Sequence, residues 1–317
     1  MGNAIGLFVL GLFLLLLGGD SVVKGASGLA QRFGLSPFAA GLLLVAFATS
    51  VPELVVNAYA VGTGNVDLAL GNAVGSNLVN IGLTLGIAAL IAPLLISMRL
   101  LAAQVVFILV ASGAVLFFGL DGVIARWEGG LLLAGFAAFL TFVFLRGREE
   151  SAKVQEEIAG FAVTSTALTQ NLIRFAFAAG LLFFGSRLVV ESAPVIGLAL
   201  GLGSMLSGLI IVAVGTALPE IVTAAMAARN GQGNAVAGQV LGACLFNLLF
   251  IVGGMSVMQP LLLPASFITL ELPAVMAFAL LLYPVLGGDL KIHRREGGLL
   301  ILAFAIWLAF ELFVAFG

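Results

Sequence analysis

Glu53 and Glu220 each directly follow a proline, in AFATSVPEL (46–54) and AVGTALPEI (213–221), inside runs otherwise almost without charge. Proline has no N–H and its ring crowds the carbonyl four residues earlier, so backbone oxygens near Ala48 and Gly215 lose their helical partner beside a carboxylate. Thr49 and Ser50 add hydroxyls just before Glu53, and Thr216 adds one before Glu220, where its neighbour is Ala217. Downstream, GNAVGSNLVN (71–80) supplies Ser76, Asn77 and Asn80, whereas GQVLGACLFN (238–247) supplies Ala243, Cys244 and Asn247. Carboxylates, hydroxyls, amides and freed carbonyls are an all-oxygen inventory of the kind hard cations take. Calcium accepts about 6–8 oxygens at roughly 2.3–2.6 Å in flexible geometry, while magnesium surrenders its waters reluctantly. With His293 as the only histidine and Cys244 as the only cysteine, the residues do not suggest a soft-metal site, and an internal disulfide is excluded.

The two stretches are one pattern repeated at a constant offset of 167 positions, the difference between 53 and 220. Ala46, Thr49, Pro52 and Glu53 align with Ala213, Thr216, Pro219 and Glu220, and Gly71, Gly75 and Asn80 with Gly238, Gly242 and Asn247. The same offset carries Asp20 and Lys24 onto Arg187 and Glu191, an i,i+4 pair with its signs exchanged, read as structural pairing near helix ends. Glycines four apart permit close approach of helix backbones, so Gly71 with Gly75 and Gly238 with Gly242 are expected to bring the Asn-bearing helices against the proline-broken ones.

Hydrophobic residues make up 62% of the 317 and charged residues 9%, against about 25% charged in soluble domains. The chain is therefore expected to cross a membrane many times, and at about 20 apolar residues per span it offers ten candidates: 4–30, 36–62, 67–92, 98–119, 126–146, 169–192, 203–228, 233–258, 267–287 and 297–316. The first has no basic flank and no small-residue cleavage pattern, so it reads as a helix and not a signal peptide. An acidic side chain at the centre of a spanning helix costs about 2.5–3.5 kcal/mol on insertion scales. A neutral residue would serve packing better than Glu53 or Glu220.

The longest polar stretch, RGREESAKVQEE at 146–157, separates five candidate helices from five. The expected organisation is a first half over 1–145, a cytoplasmic linker over 146–168 whose mixed charges point to a solvated amphipathic segment, and a second half over 169–317. Basic residues stay on the cytoplasmic side; with both termini outside, eleven of the 13 fall inside (Lys24, Arg32, Arg99, Arg146, Arg148, Lys153, Arg174, Arg229, Lys291, Arg294 and Arg295), leaving Arg126 and Arg187 outside. An odd number of helices per half makes the second half enter from the opposite face. The expected fold class is thus an all-α membrane protein of ten transmembrane helices in two inverted five-helix repeats, a design that puts substrate sites near the bilayer midplane.

The ordered and repeated motifs ATS-x-PE and GN-x-x-GSN-x-x-N resemble the α-1 and α-2 repeats of the sodium/calcium exchanger superfamily in its ten-helix prokaryotic form, most strongly over 41–86 and 208–253. The resemblance implies an inner-membrane antiporter, functional as a monomer, that expels Ca²⁺ in exchange for Na⁺ as helices one and six slide past the remaining core. Carried over by position, Ala46 and Ala213 would give carbonyls, Thr49, Ser50, Ser76 and Thr216 hydroxyls, Glu53 and Glu220 direct carboxylate ligands, and Asn80 and Asn247 the central amides. The chain departs from the family pattern at Ala217 and Ala243, where hydroxyls are usual, at Asn247, often Asp, and at Gln239, opposite Asn72. Its calcium-binding carboxylates survive while the sodium shell is thinned.

Small inorganic cations and lipid are the expected partners, with no nucleic acid and no cofactor beyond the transported Ca²⁺ and Na⁺ or H⁺. The nearest rival is a proton/calcium antiporter, since buried carboxylates carry protons as readily. A passive cation channel is disfavoured by the inverted repeat, and an intramembrane protease by the absence of HExxH and the loop position of His293.

Overall fold

The computed structural model describes residues 1–36, 38–41, 47, 50–96, 100–147, 149–160, 162–287 and 291–316. Without water, every backbone N–H and C=O needs a partner within the chain, and the apolar runs accordingly become helices. They are α1 (Gly2–Arg32), α2 (Val51–Gly62), α3 (Val66–Ile91), α4 (Leu100–Phe118), α5 (Arg126–Gly147), α6 (Ala152–Gly160), α7 (Leu168–Ala199), α8 (Ser204–Arg229), α9 (Gly233–Met258), α10 (Leu272–Gly287) and α11 (Arg294–Phe316). Among the described residues, 8 helices are long and apolar enough to cross a membrane; α10, preceded by a π turn at Phe267–Glu271, is shorter. The chain is a multi-pass, all-helical membrane protein. Arg99 and Arg148, counted above for orientation, lie outside the described residues.

The 167-position offset reappears in the elements. α2 matches Leu218–Arg229 of α8, and α3 matches α9. Two short antiparallel ribbons tie the halves together: β1 (Leu94–Leu95) pairs with β4 (Lys291–Ile292), and β2 (Val123–Ile124) with β3 (Leu261–Leu262). The helices α3 and α9 form the centre, with 78% and 83% of their apolar windows buried, against 28% for α1 and 22% for α11 on the periphery. The long helices α1 and α7 pack against each other, and added Cβ atoms at Gly11 and Gly185 would each come 2.9 Å from the other residue's carbonyl oxygen.

Glycine also sets the contact that brings the halves together at the centre. A Cβ on Gly71 or Gly75 of α3 would strike the backbone carbonyls of Met205 and Leu209 in α8, and one on Gly208 would strike the carbonyl of Leu68. Backbone thus lies against backbone, as the glycine spacing predicts for α3. The exchanged-sign pairs are present as ion pairs, Lys24 to Asp20 at 2.7 Å and Arg187 to Glu191 at 2.9 Å, with about half of each side chain exposed.

Part of the linker is a short amphipathic helix. Its residues 152–160 fold into α6, which buries Val154 and Ile158. Glu157 accepts hydrogen bonds from the Asn234 side chain at 2.8 Å and the Ala235 N–H at 3.2 Å. That places a carboxylate on the first turn of α9, where the helix dipole favours it. Farther on, the Ala162 carbonyl accepts from Ser27 and Gln31 of α1 at 2.8 and 2.6 Å. The apolar i,i+4 pair and one acid outweigh the stretch's overall polarity.

Because the Gly75 and Gly208 contacts are with rigid backbone, Gly75→Ala and Gly208→Ala should each destabilise the purified protein, by about 1–3 kcal/mol of overpacking. Thermal unfolding measures this. Gly113→Ala, whose Cβ would meet nothing within 4 Å, is the control and should leave the transition unchanged or raise it.

Candidate functional site

The second-half helix α8 is broken. A π segment at Ser207–Val212 leads into Ala213–Thr216, and a new helical start follows at Leu218, with Ala217 (φ −78°, ψ −3°) between them. Pro219 offers no N–H to the Gly215 carbonyl, as the sequence requires. In the first half α2 begins at Val51, with Ser50 (φ −86°, ψ 7°) before it and Pro52 in the first turn. Val51 and Leu218 are therefore helix N-termini inside the protein, whose first N–H groups have no helical partner. Glu53 and Glu220 sit in those first turns with no exposed surface, where the positive end of the helix dipole favours an anion.

Asn80 and Asn247 occupy matching places in two six-residue π segments, Val79–Thr84 within α3 and Phe246–Ile251 within α9. Such a widened turn alters side-chain direction locally and is frequent at functional sites. The segment carrying Asn80 packs against the Glu220-bearing part of α8, and the segment carrying Asn247 packs against α2, which carries Glu53. Thr216 of the second half lies beside the Glu53 carboxyl. The site is thus built across the interface between halves.

Hydrogen bonding separates the site's periphery from its middle. Asn72 donates to Asn57 at 3.0 Å and accepts from Ser76 at 3.4 Å and Thr216 at 3.3 Å, while Thr84 donates to Asn80 at 3.5 Å. Gln239, the counterpart of Asn72, turns instead to Thr223 at 2.8 Å and the Glu220 carbonyl at 3.2 Å. In the middle, among the described residues, hydrogen-bond partners within 3.5 Å are missing for Ser50 Oγ, both carboxylate oxygens of Glu53, Asn80 Nδ2, and both polar atoms of the Asn247 amide. All these residues are fully buried. A buried polar atom left without a partner costs about 1–3 kcal/mol, so their concentration marks a place suited to a polar guest.

Of the residues singled out from sequence, Ser50, Glu53, Ser76, Asn80, Ala213, Thr216, Glu220 and Asn247 are all buried on α2, α3, α8 and α9 or at their ends. Ala46 and Thr49 lie outside the described residues. The alanines standing where hydroxyls are usual, Ala217 and Ala243, are fully buried too. Asn57 and Thr84 escaped the sequence reading, although each is spaced i+4 from a candidate, Glu53 and Asn80. Glu271 and Glu311 escaped it as well: they are buried beside one another on the π turn before α10 and on α11. Nothing in their spacing announces that pair.

Among the described residues no three His, Cys, Asp or Glu converge; the candidate donors are two buried carboxylates and neutral oxygens. A hard cation fits those donors. Asn247→Leu removes an orphaned donor and acceptor while keeping volume; in chelator it should raise the thermal transition, by about 1–3 kcal/mol, and lose part of any calcium-induced increase. A lowered transition in chelator would mean that the amide serves packing.

Comparison with known proteins gives a consistent picture. A family model described as sodium/calcium exchanger protein matches residues 3–145 and again 171–313. The inner membrane protein YrbG of Escherichia coli is 31% identical over 81% of this chain and 80% of its own. The sodium/calcium exchanger MaX1 of Methanosarcina acetivorans is 28% identical over 95% of this chain and 96% of its own. The solved structure of the sodium-calcium exchanger NCX_Mj, soaked with Na⁺ and Ca²⁺, superposes with a TM-score of 0.67 at 28% identity, covering 97% of this chain and 98% of that one. With these matches spanning both halves and the buried site between them, the chain belongs to the sodium/calcium exchanger family of membrane antiporters.

Proposed function

We propose that this cation/calcium antiporter exports Ca²⁺ in exchange for Na⁺ by alternating access, through a site shared by two inverted five-helix repeats of a ten-helix monomer. The observation that carries the reading is the fully buried Glu53 carboxylate at a helix N-terminus, with Thr216 of the other half beside it, together with the equally buried Glu220 in the equivalent place. Glu53 and Glu220 bind Ca²⁺ directly. Hydroxyls of Thr49, Ser50, Ser76 and Thr216, carbonyls of Ala46 and Ala213, and the amides of Asn80 and Asn247 complete the shell. The repeated elements and the two ribbons linking opposite halves support the inverted arrangement. Both termini lie outside and the 146–168 segment is cytoplasmic.

Charge sets the exchange. With both glutamates ionised the site carries −2, which one Ca²⁺, two Na⁺ or two H⁺ neutralises, and net charge left in a low-dielectric site is costly. Because each cargo satisfies the same anions, the empty site is the expensive state to turn over, and binding of one ion favours release of the other. Glu53→Gln or Glu220→Gln should abolish calcium flux into vesicles containing the reconstituted protein, with folded protein still inserted. Near-normal flux in either variant would move the site elsewhere.

A specific observation keeps protons in view as the counter-ion: Ala217 and Ala243 withhold two hydroxyls, and Asn247 replaces the acid that a third monovalent cation would need. Sodium dependence is therefore expected to be shallow. Flux driven separately by sodium and proton gradients tests it, and Ala217→Ser, Ala243→Ser and Asn247→Asp together should steepen the sodium dependence with less effect on calcium affinity. Exchange of three Na⁺ per Ca²⁺ by the unmodified protein would show that other oxygens fill those places.

A further inference from the structure

Asn72 is outside the set of ion ligands, yet it ties that set together. It is fully buried on α3, and its side-chain N–H donates to Asn57 Oδ1 at 3.0 Å, one helical turn beyond Glu53. With the nitrogen committed there, the amide oxygen faces two hydroxyls, Ser76 Oγ at 3.4 Å and Thr216 Oγ1 at 3.3 Å. Ser76 lies one turn further along the same helix. Thr216 comes from the other half, at the end of the short helix before the break.

A hydroxyl has one hydrogen and two lone pairs. If the hydrogen is given to an amide oxygen, the lone pairs are left for a cation; if it is not, the hydrogen is free to turn toward the cation and oppose it. Thr216 has the Val212 carbonyl at 3.0 Å as a second acceptor. Among the described residues, Ser76 has no side-chain hydrogen bond besides that to Asn72. The second half provides a comparison within the same molecule. The position equivalent to Ser76 is Ala243, and the counterpart of Asn72, Gln239, has turned away to Thr223 and the Glu220 carbonyl. The inward amide occurs in the half that has the serine.

We propose that Asn72 is a positioning residue whose amide oxygen takes the hydroxyl hydrogens of Ser76 and Thr216, turning their lone pairs toward the cation held by Glu53 and Glu220. The inference rests on the reading of that site as the calcium site. Asn57, by holding the Asn72 nitrogen, fixes which end of the amide faces the hydroxyls.

The test is a double-mutant cycle on the full-length protein in detergent, with Ca²⁺ binding followed by calorimetry. Asn72→Leu should weaken binding about tenfold, the scale of the hydrogen bonds lost, and Asn72→Asp, which keeps the acceptor oxygen, should bind at least as tightly as the parent. In a Ser76→Ala, Thr216→Ala background, Asn72→Leu should change binding by less than about twofold, because coupling vanishes once the partners are gone. A tenfold loss in that background would make Asn72 a packing residue and overturn the proposal. If Asn72→Leu does not give monodisperse protein, Asn72→Ser, too short to reach Thr216, replaces it in the same cycle with the same two outcomes. Failure of the underlying site reading looks different: Glu53→Gln would then leave Ca²⁺ binding intact, whatever Asn72 does.

Discussion

Hydrocarbon gives an oxygen atom nothing to bond to, and the architecture of this protein follows from where it leaves oxygens without helical partners. Pro219 releases the Gly215 carbonyl, the break at Ala217 opens a helix N-terminus, and Glu220 sits on it; Glu53, after Pro52, sits on the equivalent N-terminus of α2. Such a break survives in a bilayer only where protein surrounds it or a cavity lines it. The surrounding is supplied by α3 and α9, the two most buried helices, and by backbone contact at Gly71, Gly75 and Gly208 that leaves no room for side chains between the halves. Small residues, broken helices and buried carboxylates are therefore one arrangement.

The same logic separates a centre from a periphery. α1 and α7 bury only 28% and 33% of their apolar windows, and they pack along each other through Gly11 and Gly185, with Leu15 and Val189 buried alongside. The centre is held by ribbons, glycine contacts and hydrogen bonds such as those at Asn72, which fix several donor oxygens relative to one another.

Much of this was legible in the sequence because membrane constraints are strict. A proline followed by glutamate, twice, at one offset and in runs of spanning length, leaves few alternative readings, and Gly71 and Gly75 carry their packing role in their spacing. Other features depend on tertiary packing and leave no local signature. The π segments at Asn80 and Asn247 occur in sequences that would also continue as ordinary helix. The polarity of 146–157 concealed Val154 and Ile158, which bury α6 against the core. Asn72 and Gln239 are chemically alike, and only their surroundings reveal that one points across the halves and the other stays within its own. Glu271 and Glu311 are single acids far apart in sequence, and their proximity follows from helix packing alone.

The two ribbons bear on how such a chain is made. Leu94 pairs with Ile292, and Val123 with Leu262. A ribosome delivering the chain from its N-terminus thus produces β1 and β2 long before their partners exist, and the Glu53-bearing half must reside in the membrane with its strand edges open. Contacts this distant are paid for in loop entropy before they are formed. The two ribbons close only once residues 261–262 and 291–292 have been made, so a chain stalled before them presents quality control with two unpaired edges.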